Sequence, residues 1–400
     1  MNILFTSPVL EHPAAGGPQL RVENSIKALS QISNMYIISR NPQQAMGGDV
    51  AEKFYRSFCK DFFYTPSVAN LSNNRYIRKL QRIYKKTFFD DAVYLLSMVD
   101  ALKIDILWFG YGNISFDLIQ KIKTMRPSLK VVCDTDSVWS RFVLRELPYE
   151  KDPSRIAKIN ADGKAKEAEE AEWVNLCDIT TAVSGIDAEY YSNLAADKNN
   201  IMLFSNVIDM DTYKYPPQKP NGFKNPAIYL AGSFGPKSAM DKAARWFIND
   251  IFPLVKHEIP NIHFYIVGNG SKETLVDIND ASISIMGKMP SVLPYLCNSD
   301  VSLVPLQFES GTRFKIMEAA ACRIPIVSTT LGAEGIPVEN EKNILIADTP
   351  NDFAKAVIRL INDKTFSKQI ADNCYDFIAK HNSLNSLVEE AKKIIERLNK

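Results

Sequence analysis

Histidine is scarce in this chain: there are four in 400 residues, and the first 250 positions hold only His12. A loop histidine on its own, His12 reads as a surface residue rather than a catalyst. Six cysteines, at 59, 133, 177, 297, 322 and 374, form no C-x-x-C pair and keep no regular spacing. Cys133 and Cys322 adjoin apolar runs, so the thiols read as buried and the compartment as reducing. Neither charge predominates. The 47 Lys and Arg face 46 Asp and Glu, a net +1, which argues against a nucleic-acid or general polyanion binder. No stretch approaches a membrane span. The opening MNILFTSPVLEHP lacks the basic start and long apolar core of a signal peptide, so a cytoplasmic protein is expected. The first strand is not followed by G-x-G-x-x-G, which disfavours a dehydrogenase.

What is present is an ordinary globular composition, 46% hydrophobic and 23% charged, in a chain long enough for two domains. One stretch organises it: SGTRFKIMEAAACRIPIVSTTLGAEG, residues 310–335. A small-residue turn, Ser310-Gly311-Thr312, opens a helix. The first N–H groups of such a helix are unpaired and its dipole is positive there, so the turn suits an anion. Arg313 and Lys315 add full charge at the same point, and a diphosphate is the natural guest. Glu318, deeper on the helix, can accept hydrogen bonds from hydroxyls, of which a ribose offers two. A strand, Ile324 to Ser328, and a second Gly-bearing turn, Gly332 to Gly335, follow.

These residues resemble the donor-binding motif of two-domain, Rossmann-like glycosyltransferases (the B-type fold, retaining family 4, also described as group 1). The motif runs E-x7-E and then A-x-A-x-G-x-P-V-V-x-S. Glu318 matches the second Glu, and Pro325, Ile326, Val327 and Ser328 match the strand. The first Glu is replaced by Ser310, with Glu309 one place off. The loop resembles the G-T-R-x-K version of some branches. The resemblance implies an α/β architecture: two Rossmann-like domains (the GT-B fold) with parallel sheets facing across a cleft.

In chain order, Asn2 to Thr6 is a strand, and Gly16-Gly17 lies in the loop before a helix. In the resembled family that loop covers the donor diphosphate and the acceptor, and Arg21 matches a basic residue common just after it. Residues 75–89 carry cations at 75, 78, 79, 82, 85 and 86, with Ile77, Leu80, Ile83 and Tyr84 at helical spacing. This is either a surface helix packed on its own domain or a peripheral membrane contact. The Lys130–Cys133 strand ends in Asp134-Thr135-Asp136. Taken alone, D-x-D suggests a metal holding a diphosphate. The resembled fold binds its donor without metal or other cofactor, so no metal site is expected. Asp136 falls where the family carries a His and is expected to contact sugar or acceptor. Ser140, Arg141 and Arg145 follow, either as acceptor ligands or in salt bridges to glutamates such as Glu146. SNVIDMDTY resembles the segment that closes the family's first domain, and Tyr215–Gly222 is a Pro-rich linker.

The implied domains are 1–212, with a C-terminal helix at about 380–400 packing back on it, a linker at 213–224, and a donor-binding domain at 225–379. In that second domain the family places an Arg and a Lys on the diphosphate, where this chain has Ser233 and Ser238, with Lys237 adjacent. Arg313 and Lys315 are expected to replace them. Gly268 and Gly287-Lys288 fall where the family's loops meet nucleotide and base. The implied function is transfer of a sugar from a nucleotide-diphosphate sugar to a glycan or lipid-linked acceptor in cell-surface polysaccharide synthesis, with retention. Arg313, Lys315 and Asp136 are the expected catalytic groups. Gly16, Gly17, Ser233, Lys237, Gly268, Gly287, Lys288, Ser310, Gly311, Thr312 and Glu318 are the expected donor contacts. The rivals are a nucleotide-sugar epimerase on the same fold and an inactive donor-binding partner subunit, which the missing Glu and His keep open.

Overall fold

The computed structural model describes residues 1–14, 16–69, 71–72, 75–213 and 217–400. The chain divides into two compact units. Unit 1 comprises Met1–Ser140, Asp152–Asn206 and Leu384–Lys400; unit 2 comprises Arg141–Lys151 and Val207–Ser383.

Unit 1 is built on seven strands: β1 (Asn2–Ser7), β2 (Asn34–Ser39), β3 (Asp61–Tyr64), β4 (Ile106–Gly110), β5 (Lys130–Asp134), β6 (Ile179–Ala182) and β7 (Ile201–Leu203). They pair in parallel in the order β3-β2-β1-β4-β5-β6-β7. A parallel sheet is covered by helices on both faces, so its strands read as apolar runs rather than alternations. Here every residue of β4 is buried, and Leu4, Leu107, Phe109 and Val131 share one core cluster with Trp173 and Tyr191. The helix before β6 runs Pro153–Leu176, with the Asp152 side chain accepting from Ser154 N–H. Gly163 lies buried inside it. The last helix, Leu384–Leu398, packs on Gly17–Ser30. Glu390 accepts from Ser205 N–H at 2.6 Å and fixes its docking.

Unit 2 is built on six strands: β8 (Ala227–Ala231), β9 (His263–Val267), β10 (Ile283–Gly287), β11 (Val301–Val304), β12 (Ile326–Ser328) and β13 (Leu345–Ile346). Their order is β10-β9-β8-β11-β12-β13, again all parallel. The first helix starts at Ala239 behind a Ser238 cap and continues through a wider π-turn at Phe247–Ile251 to Glu258. In both sheets the order reverses beside the first strand, at β1/β4 and at β8/β11. Such reversals leave a crevice beyond the carboxyl ends of the strands, where open α/β sheets bind ligands. Part of the Pro-rich linker, residues 214–216, lies outside the described residues.

Candidate functional site

The crevice of unit 2 is framed by three strand-end turns joined through their backbones. Gly232 N–H donates to Val267 O at 3.1 Å, Phe234 N–H to Asn269 O at 2.8 Å, and Gly268 N–H to Gly287 O at 2.9 Å. Gly268 has φ of 142°, a conformation side-chain-bearing residues rarely adopt, and a Cβ there would collide with the Gly232 carbonyl. Gly270 meets the carbonyl of Phe234 in the same way. Ser271 Oγ donates to Gly268 O and accepts from Gly287 N–H at 3.1 Å, closing the frame.

The turn after β11 supplies the polar groups. Arg313 is 4% exposed and faces its own loop. Its Nη1 donates to Ser310 O at 2.7 Å and to Gly311 O, and its Nε pairs with Glu309 Oε2 at 2.9 Å. The guanidinium thus braces the turn and is paired with Glu309, the carboxylate one place from the family's first Glu. Lys315 differs. Its ammonium donates to the thioether of Met240 at 3.0 Å, and among the described residues it makes no ion pair. Burial pulls its pKa below the ordinary lysine value; Arg313 adds to that, while Glu309 and Glu318 oppose it. A thioether is a weak acceptor, so this cation is under-satisfied. Ser310 is 8% exposed, and its hydroxyl has no hydrogen-bond partner among the described residues. Glu318 sits on the Phe314–Ala321 helix. Burial raises its pKa, opposed by a hydrogen bond from Tyr213 and by the charge of Lys315. Tyr213 Oη donates to Glu318 Oε1 at 3.1 Å.

Ser233 and Lys237 are exposed on the turn after β8, and Lys288 is exposed after β10. Ser238 Oγ accepts from Gly235 N–H and Asp241 N–H, each at 3.2 Å, so it serves as helix cap. Met240 is the second residue of that helix, and a Cβ on Gly232 would meet its side chain. Gly232, Met240 and Lys315 thus converge on the β8/β11 reversal. Gly311 and Thr312 lie in the Arg313-braced turn. Sequence reasoning missed Met240, Tyr213 and Glu334. The last accepts both guanidinium nitrogens of Arg145 at 2.7 and 2.9 Å, while Arg145 also donates to Glu309 O at 2.8 Å. Arg145 is therefore bound to Glu334 rather than to the neighbouring Glu146, which faces Lys242 at 3.2 Å.

In unit 1 the two aspartates of D-x-D part company. Asp134 is 1% exposed and pairs with Arg21, whose Nη1 reaches Asn206 Oδ1 at 2.9 Å and whose Nη2 reaches Phe204 O at 2.9 Å. Asp134 also accepts from Thr181 Oγ1 at 2.8 Å and Trp108 Nε1 at 3.3 Å. Ser25 Oγ donates to Asp134 Oδ2 at 3.3 Å, so four donors fill the about four acceptor positions of the Asp134 carboxylate, and Arg21 is a structural cation. Asp136, half-buried, accepts from Asn113 Nδ2 at 2.6 Å and Trp139 Nε1 at 3.1 Å. Burial raises the pKa of Tyr111, and Asp136 raises it further. Gly16 stands in extended conformation before the Gly17–Ser30 helix, with no side-chain cap on its N–H groups. His12 stacks on Phe54 at 3.6 Å and meets Glu23 through Nδ1 at 3.0 Å. It is a packed residue rather than a loose surface one. Among the described residues no cluster of three or more metal-ligating side chains occurs.

The two parallel-sheet units are those of the B-type glycosyltransferase fold. The likeness to Anabaena HepE, solved with UDP and glucose, has a TM-score of 0.67 at 10% identity over 99% of both chains. More particularly, residues 225–363, which lie in unit 2, match the family Glycosyl transferases group 1. Over its whole length the chain is similar to an uncharacterized glycosyltransferase of Methanocaldococcus jannaschii, 22% identical over 409 residues and 96% of each chain. It is also similar to an uncharacterized 44.6 kDa protein in the cps region of Klebsiella pneumoniae, 22% identical over 194 residues. That match spans 46% of this chain and 49% of the relative, about half its length.

Proposed function

We propose that this protein is a glycosyltransferase that takes its sugar from a nucleotide diphosphate carrier, with unit 2 as the donor grip. The observation that carries the reading is Lys315. A cation at the topological reversal, held against a thioether with no carboxylate partner among the described residues, has an electrostatic need that a diphosphate meets. Its charge would stabilise the leaving diphosphate as the glycosidic bond breaks, the point at which negative charge develops. Glu318 would accept the ribose hydroxyls, the unpartnered Ser310 hydroxyl would face the sugar, and Ser233, Lys237 and the Gly287-Lys288 turn would line the phosphates and base. Arg313 acts through the turn it braces. In unit 1, Asp136 and the uncapped helix start at Gly16-Gly17 are the groups proposed to meet sugar and acceptor. The proposed acceptor is a glycan or lipid-linked glycan of the cell surface, and the proposed stereochemistry is retention, read from the anomeric proton coupling of the product.

The proposed site of membrane contact is the Arg75–Phe88 helix. It leaves Tyr76 80% and Leu80 69% exposed beside Arg78 and Lys79, the composition of an interfacial helix on an anionic surface. The side chains of Arg75, Arg82 and Lys86 lie outside the described residues. No helix among the described residues is long and apolar enough to cross a membrane. Sedimentation with anionic vesicles, lost in Leu80→Glu, tests this part.

The main test is calorimetric titration with UDP-, GDP- and ADP-sugars of wild type and Lys315→Met. Binding of one nucleotide class to wild type and its loss in the variant support the donor grip. A folded wild type that binds none of them refutes it.

A further inference from the structure

Two glutamates flank the Ser310–Arg313 turn, and they have opposite fates. Glu309 is neutralised by Arg313 Nε at 2.9 Å. Glu318 forms no ion pair among the described residues; its Oε1 accepts from the neutral hydroxyl of Tyr213 at 3.1 Å. The difference matters for any ligand that offers hydroxyl groups. A cationic partner consumes a carboxylate's charge, whereas a phenol holds the carboxylate in place and leaves the charge on it. An ionised carboxylate has about four acceptor positions, so one bond from Tyr213 leaves Oε2 and the remaining lone pairs available.

Tyr213 is itself held. It ends a short 3-10 turn, Met210–Tyr213, in which Thr212 N–H donates to Asp209 O at 3.1 Å and Asp211 N–H to Asp209 Oδ1 at 3.2 Å. The segment is pinned where Ile208 N–H donates to Asn382 O at 2.9 Å. Met210 and Tyr213 pack on the unit 2 core. Around the carboxylate stand Lys315 one turn before it, Cys322 one turn after it, and Tyr229 from β8. Cys297 lies behind Cys322, with the sulfurs 3.4 Å apart. Among these groups only Tyr213 donates a hydrogen bond to Glu318.

We infer that Tyr213 is the positioning residue of the ribose subsite: its hydroxyl sets the orientation of Glu318 so that the free carboxylate oxygen receives the ribose hydroxyls of the nucleotide. The inference rests on the nucleotide reading above. Without the phenol, Glu318 swings among its rotamers and must be ordered anew by each ligand, which lowers affinity.

The experiment titrates the full chain with UDP, GDP and ADP and with their 2′-deoxy counterparts, in wild type, Tyr213→Phe and Glu318→Gln. Wild type binds one nucleotide and discriminates against its 2′-deoxy form. Tyr213→Phe binds that nucleotide about tenfold more weakly, loses most of the 2′-hydroxyl discrimination, and melts at the wild-type temperature without ligand. Its acid limb also moves: the Tyr213 bond holds the Glu318 pKa down, so without it protonation, and loss of binding, set in at higher pH. A purely structural tyrosine would move the melting temperature and leave discrimination and acid limb alone. If Tyr213→Phe keeps the affinity, the discrimination and the acid limb of wild type, the inference is overturned while the nucleotide site stands. If wild type binds no nucleotide at all, both fall together.

Discussion

The reversals at β1/β4 and β8/β11 are the same topological feature met twice, and they are finished in opposite ways. Under the first, Asp134 and Arg21 are buried together, and Asn206, Phe204 O, Thr181 and Trp108 all hydrogen-bond to the pair; of the pair's polar atoms, Arg21 Nε is left without a hydrogen-bond partner among the described residues. Under the second, a lysine rests on a thioether, a carboxylate is held by one phenol, and a serine hydroxyl has no partner among the described residues. Buried polar groups are normally satisfied. A network whose carboxylate and both terminal guanidinium nitrogens are partnered therefore reads as architecture, and one whose charged ends are held by a single weak or neutral partner reads as a place kept for a ligand. Charge at a strand end does not separate the two; the count of partners does.

The sharpest way to break the comparison is Arg21→Ala. Removing one partner of a fully buried pair costs about 3–5 kcal/mol, so urea unfolding should show unit 1 failing first, with nucleotide binding to unit 2 intact in mild denaturant. A loss near zero would mean that the pair is not closed. Next in size is Lys315→Met. A charge-assisted bond is worth about 1.5–3 kcal/mol, so nucleotide diphosphate affinity should fall tenfold or more. The melting temperature should hold or rise, because a half-buried cation held by a thioether leaves; a fall would show the lysine to be structural.

Glu318→Gln carries a sign of its own. Burial raises the carboxyl's pKa above its unfolded value, so the native state holds its proton more tightly and stability declines as pH rises from the unfolded pKa to the folded one. The neutral amide should remove that decline and melt higher than wild type at neutral pH, while binding nucleotide less well. In wild type, binding should fade on the acid side as Glu318 takes up its proton. It should fade on the alkaline side below the ordinary lysine pKa, since burial lowers that of Lys315. The smallest effect is expected from Ser310→Ala: a melting temperature unchanged or slightly raised, with donor-sugar affinity lower and free nucleotide affinity unchanged. Equal losses for both ligands would move Ser310 from the sugar to the phosphates.

The order of strands and helices was legible because most of the parallel strands are short apolar runs, as in Ala227–Ala231 before Gly232. Where local chemistry was weak, the reading slipped. β3 has four residues and opens on exposed Asp61, too little pattern to register. At the site, the sequence marks Lys315 and Glu318 as candidates by their spacing from the turn. It could not show that Arg313 curls back onto Ser310 and Gly311, since three residues of separation permit either direction. Nor could it find Tyr213, which is 105 residues from its partner; only the packing of the Ile208–Tyr213 segment against Asn382 and the core brings the two together.

The interlock of Gly268 with the Gly232 carbonyl has a consequence for reading related chains. The position is fixed by one backbone passing against another, before any ligand arrives. A descendant that had lost Lys315, Glu318 and all turnover would still need glycine at 268 to fold. That glycine certifies ancestry and says nothing about trade: a silent copy and a working one would display it alike, and only the residues with unmet valences would tell them apart.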